Sequence, residues 1–127
     1  MIQRTRIAPS IRLLAVAAAL IALSACAAAP SRDALVVGQQ ATIEGEVVRV
    51  DTDPWAYDGN AVITVSTADA GTISVQLPAR WNLCKAQPLG DVQALKPRDR
   101  VQVVGTVTAP GEVVVCQQPQ DRLLKVE

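Results

Sequence analysis

The sequence predicts an all-β domain, a small five-stranded barrel, on three observations. Apolar and polar residues alternate in five separate runs, Val, Ile and Thr dominate those runs, and the stretches between them are rich in Gly, Pro, Asp and Asn. Alternation puts every second side chain on one face, as a half-buried strand requires. β-Branched residues fit a pleated surface, and the intervening residues are turn formers. Trp55, Tyr57 and Trp81 are the only aromatics, and Phe is absent. The core must therefore be built from Val, Ile, Leu and Ala.

The first strand is read at Ala41–Val50 (ATIEGEVVRV), with Ile43, Gly45 and Val47 on one face and Glu44 and Glu46 opposite. Its two-residue period then flips to Val48 and Val50, which predicts a bulge or strong coil next to Gly45. Asp51–Asn60 (DTDPWAYDGN) reads as a loop, with Asp58-Gly59 as a hairpin signal. Ala61–Thr67 (AVITVST) is the second strand. A turn at Ala68–Gly71 leads into the third, Thr72–Leu77, with Ile73, Val75 and Leu77 inward. Pro78–Pro97 breaks the alternation, and Asp91 to Leu95 within it reads as one capped helical turn. The clearest strand follows at Arg98–Thr108, with Val101, Val103, Gly105 and Val107 on one face. Ala109-Pro110-Gly111 turns the chain into Glu112–Gln117. Arg122–Val126 is a last apolar segment, left open between a continuation of that strand and a sixth one.

The N-terminus has the three parts of an export signal. Arg4, Arg6 and Arg12 are basic, Leu13 to Leu23 (LLAVAAALIAL) is apolar, and the cleavage region reads Leu23-Ser24-Ala25-Cys26. A helix needs about 20 residues to span a bilayer core, so the apolar stretch is too short for a permanent span. Leu-Ser-Ala-Cys resembles the lipobox of bacterial lipoproteins. In that family a diacylglycerol is joined to the cysteine sulfur and the leader is cut before the cysteine. The resemblance implies a signal peptide over residues 1–25, lipidation at Cys26 and a lipidated tether over 26–38. Two or more acyl chains hold a protein stably on a membrane. Ala27 rather than Asp after the cysteine implies, for a bacterium with two membranes, the periplasmic leaflet of the outer membrane. The alternative is an ordinary secretory leader with Cys26 incidental. Ala27–Gly38 reaches at most about 40 Å when extended, which keeps the domain at residues 39–127 near the membrane surface.

With Cys26 lipidated, Cys84 and Cys116 remain. An even remainder in an exported domain reads as a disulfide, and two separate buried thiols are the alternative. The fourth-strand phrase from Leu95 to Val107 (LKPRDRVQVVGTV) is similar to one in many small exported OB-fold proteins of bacteria, Leu-x-Pro-Gly-Asp-x-Val-x-Val-x-Gly-x-Val. Arg98 stands where that phrase has glycine. With the coiled first strand around Gly45, this implies an OB-fold-like Greek-key barrel. An immunoglobulin-like sandwich is the alternative fold, for which the strands are few.

Charge and composition narrow the function. The mature part carries nine basic and twelve acidic residues, a formal charge of −3, with no basic cluster beyond Lys96, Arg98 and Arg100. Nucleic-acid binding needs phosphate-neutralising Lys and Arg, so no nucleic-acid partner is expected. Histidine is absent, which removes the commonest general base and zinc ligand. Ser66 and Ser74 lie inside strands without a nucleophile elbow. Glu44 and Glu46 read as a solvated strand face rather than a glycosidase pair. Asp51, Asp53, Asp58 and Asn60 supply oxygen ligands of the kind calcium takes, but without the spacing or closing Glu of an EF-hand. No enzyme activity, metal or cofactor is expected.

The contact residues read from the sequence are Asp53, Trp55, Tyr57 and Asp58 in the first loop, and Trp81. In an OB-like barrel this loop is a common ligand region, and aromatics there stack on a sugar, base or peptide. The competing role for Trp55 and Trp81 is to fold back and plug the barrel ends. The expectation is a membrane-anchored, non-catalytic binding or scaffolding domain. The alternative is an accessory subunit docking on an envelope enzyme or transporter, with oligosaccharide or nucleic-acid binding resting on fold analogy alone.

Overall fold

The computed structural model describes residues 35–127. The leader expected at 1–25, the expected lipidation residue Cys26 and most of the expected tether lie outside them. Six strands follow in chain order: β1 (Gln40–Asp51), β2 (Ala61–Thr67), β3 (Gly71–Leu77), β4 (Arg100–Ala109), β5 (Glu112–Val114) and β6 (Arg122–Val126). The sheet runs β1-β2-β3-β5-β4-β6, and a further pairing of β1 with β4 closes the first five strands into a barrel. The neighbours are antiparallel except β3 and β5, which run parallel. The result is an OB-like barrel, and its terminal segment is a separate sixth strand paired with the first half of β4 rather than a continuation of β5.

The alternation seen in the sequence builds the interior. Ile63, Val65, Ile73, Val75, Leu77, Val101, Val103, Val113 and Val115 are fully buried. β1 serves two neighbours in turn. Gln40–Glu46 pair with β4, Glu46–Asp51 pair with β2, and the register slips between Val47 and Arg49. The bulge expected from the change of phase is therefore present, but Val48 is the residue it ejects, half exposed, while Val50 packs against the core. One extra residue on one strand has no cross-strand partner, so its side chain need not follow the alternation.

The one helical turn expected, at Asp91 to Leu95, is present as a 3-10 turn, and two further 3-10 turns accompany it. Asp53–Tyr57 lies in the first loop, and Trp81–Leu83 and Val92–Ala94 lie between β3 and β4. Asp91 caps the last of these, its carboxylate accepting from the Ala94 N–H. β5 ends as a ladder at Val114, short of the expected Gln117. From there the chain is held by other partners: the Cys116 carbonyl accepts from Lys85 and Ala86, and the Cys116 N–H donates to Asp121. Asp121 is fully buried and takes two further donors, Gln118 N–H and the Gln40 amide. A buried carboxylate needs such partners, and these tie the segment before β6 to the start of β1.

Arg98 occupies the turn into β4 at φ +78°. The Asp99 N–H donates to the Lys96 carbonyl at 3.0 Å, and Pro97 stands second in the turn. Pro followed by a residue of positive φ is the type II pattern, which wants glycine at Arg98. The turn is fastened to β1 at the bulge, Arg98 N–H to Val47 O and Val47 N–H to Asp99 O. The Asp99 carboxyl is held below its ordinary value, first by the Lys96 backbone N–H and then by Lys125. Arg98→Gly is expected to stabilise the domain by about 0.5–1 kcal/mol, because left-handed backbone disfavours a side chain by roughly 1–2 kcal/mol and glycine returns part of that as unfolded-state entropy. Thermal denaturation followed by circular dichroism reads this as a rise of a few degrees.

Candidate functional site

The loop between β1 and β2 is a constrained element. Pro54 sits in the first turn of the 3-10 segment, where its missing N–H costs nothing. Asp58 ends it at φ +66°, so the left-handed position falls on Asp58 and not on Gly59, and the expected two-residue hairpin does not form. Asp and Asn tolerate that conformation better than other side chains. The Gly59 N–H donates to Pro54 O, and the Asp53 N–H to the Asp51 carboxylate.

Two side chains fasten the loop to the barrel. The Trp55 indole Nε1 donates to Leu77 O at 2.9 Å, and its ring packs partly against the core. The Asp58 carboxylate accepts the Arg80 Nε–H, shared between its two oxygens at 2.9 and 3.1 Å, and a second hydrogen bond from the other end of the guanidinium. The fork holds the Asp58 carboxyl below its ordinary value, by hydrogen bonding first, and raises Arg80 in turn. A depressed carboxyl supplies its tie above the ordinary carboxylate range and releases it only as pH falls through its own lowered value.

Trp55 stands between two depressions. On one side it shares an apolar groove of about 270 Å³ with Pro78, Ala79, Trp81, Pro88 and Leu89. On the other it lines a wider cleft of about 650 Å³ with Thr52, Asp53, Ala56, Tyr57 and Gln93. Each tryptophan ring packs partly on the core, and each also lines the groove. Tyr57 has no such support and is 88 % exposed.

The structure brings Asp53, Trp55 and Tyr57 together on the cleft and places Trp81 in the adjoining groove. Asp58 faces Arg80 and acts as a fastener of the loop. Sequence reasoning did not single out Arg80, 22 residues from Asp58, because nothing local marks such a pair. Gln93 was also missed; its signal was the capped turn that carries it. Cys84 and Cys116 form a disulfide with Cα atoms 4.6 Å apart, which ties the segment bearing Trp81 to the end of β5.

Among the described residues, no three His, Cys, Asp or Glu side chains come together as metal ligands. The oxygen ligands considered for calcium are divided, since Asp51 faces Arg49, Asp58 faces Arg80, and the Asn60 amide donates to Gln76. Glu44 lies exposed on the outer face, accepting from Gln102. Searches against protein-family models and curated proteins find no match to this chain.

Proposed function

We propose that the chain is a lipoprotein anchored through Cys26, whose OB-like barrel works without catalysis as a binding or scaffolding module of the cell envelope. The observation that carries this reading is Tyr57. A large aromatic side chain is held 88 % exposed on a 3-10 turn that is itself tied down by Trp55 and Asp58. Presenting that much ring to water brings no folding benefit, whereas an aromatic side chain carried on a fastened turn, with few torsions of its own, loses little entropy on contact with a partner. The Trp55–Trp81 groove beside it supplies apolar area to the same surface. Docking on an envelope enzyme or transporter, as an accessory subunit, is the specific form such a role takes when the partner holds the activity. The basic start, the apolar run and Leu23-Ser24-Ala25-Cys26 support the anchor, and Ala27 favours the periplasmic leaflet of the outer membrane in a two-membrane organism.

Photo-crosslinking in living cells tests the reading, with a photoreactive amino acid in place of Tyr57. Tyr57 suits this better than Trp55, whose indole supports the loop through Leu77 O. A discrete protein adduct is expected, its partner named by mass spectrometry, from the membrane fraction. Absence of any adduct, with the barrel folded and the protein in membranes, would overturn the docking role. Cys26→Ser is expected to move the protein out of the membrane fraction, and a variant that stays there would overturn the anchor.

A further inference from the structure

Three carboxylates lie in or at the edge of the loop between β1 and β2, and two have counter-charges. Asp51 pairs with Arg49, and Asp58 with Arg80. Asp53 has no cationic partner among the described residues. It is exposed, and it lines the wide cleft with Trp55, Tyr57 and Gln93.

A carboxylate without a counter-charge beside two aromatic rings favours a cation. The face of an aromatic ring carries negative potential, and an ammonium or guanidinium group is attracted to it. Asp53 adds direct Coulomb attraction, and the Gln93 side-chain carbonyl adds an acceptor for an N–H donor. Part of this surface is held in place before any ligand arrives. Trp55 is locked by its indole bond to Leu77, and the Asp53 backbone by its bond to Asp51. Preorganisation of this kind lowers the ordering cost of binding.

The whole-domain charge has the same sign. The mature chain's formal charge of −3 attracts basic partners and repels acidic ones. The cleft is an open depression of the surface, so a side chain reaches it from a segment lying across that surface.

We infer that this cleft docks a basic segment of an envelope protein, seating an Arg or Lys side chain against Tyr57, Trp55 and Asp53. The inference rests on the docking role proposed above and adds the chemistry of the partner.

Fluorescence anisotropy tests it, using the full-length lipidated protein in zwitterionic detergent. The probes are a short labelled Gly/Arg peptide and its Gly/Glu counterpart. The Gly/Arg peptide is expected to bind more tightly, and to weaken as salt rises from about 0.05 to 0.5 M. Asp53→Asn and Tyr57→Ala are each expected to weaken it about threefold to fivefold. Both positions are exposed, so these variants keep the fold. Asp69→Asn, at an exposed acid in the turn between β2 and β3, is expected to change nothing. Equal binding of the two peptides, or equal effects of Asp53→Asn and Asp69→Asn, would overturn the inference. If the Tyr57 crosslinker still captures a protein while the Gly/Arg peptide shows no preference, docking stands and the basic partner falls. If there is neither adduct nor peptide binding, both fall together.

Discussion

Replacing Gly45 or Gly105 by alanine costs the barrel about 3 kcal/mol or more. The two glycines occupy equivalent points of handover. At Gly45, β1 is about to leave β4 and begin pairing with β2, and Glu46 is shared by both neighbours. At Gly105, one edge of β4 passes from β6 to β5. Strands that curl this tightly bring a second backbone over the glycine. A Cβ on Gly45 would lie 2.4 Å from Ser66 O and 2.6 Å from Val65 Cγ1. On Gly105 it would lie 2.6 Å from both Val114 O and Val113 Cγ1. Backbone carbonyls cannot step aside as a flexible side chain does, so relief requires opening the β1–β2 or β4–β5 ladder. Gly90 is the control, because a Cβ there meets nothing within 4 Å, and Gly90→Ala is expected within about 0.5 kcal/mol of the parent. Urea denaturation separates these outcomes as a shift of midpoint at unchanged slope. A Gly45→Ala or Gly105→Ala midpoint equal to that of Gly90→Ala would show that the strands are not so closely approached.

Much of this curvature was legible before any coordinates. Gly45 marked itself because the alternation of β1 changes phase within a few residues of it, and a buried strand changes phase only by bulging or coiling. Ile73, Val75 and Leu77, like Val101, Val103 and Val107, lie inside because a period of two leaves them no other face. Arg98 was visible as a departure from glycine, and the left-handed backbone there is the reason glycine suits that position. What stayed hidden depends on pairs distant in sequence. That Val48 rather than Val50 is turned out was not legible, since the pattern signals a bulge without saying which residue it ejects. Asp121 carried no local signal, because its donors come from Gln40 at one end of the domain and Cys116 and Gln118 at the other. The site divides in the same way. Trp55 and Tyr57 stood out by rarity in a chain almost without aromatics. Their different fates, one fastened to Leu77 and one left exposed, were set by the return of β3 beneath the loop.

Removing the disulfide lowers stability by about 3–4 kcal/mol, the loop-closure entropy returned to the unfolded chain when a link across 32 residues is lost. For a domain of this size that is a drop of roughly 15–25 °C in Tm. The segment it closes runs from Cys84, just after the Trp81–Leu83 turn, through Val92–Ala94, β4 and β5 to Cys116, so the link joins the irregular part of the chain to the barrel wall. The folded state keeps its other fastenings in a Cys84→Ser/Cys116→Ser variant. Lys85 and Ala86 N–H groups still reach the Cys116 carbonyl position, and Asp121 still accepts from the backbone at 116 and 118. The barrel is therefore expected to fold at 25 °C with an unchanged far-ultraviolet spectrum, while its denaturation midpoint falls. A thiol reductant acting on the parent protein should reproduce the same midpoint, because both routes remove one covalent link and leave the barrel's contacts in place. A loss below about 1 kcal/mol in both would mean that the unfolded chain is already confined by residual structure, and that the bond is not what stabilises this loop-rich half.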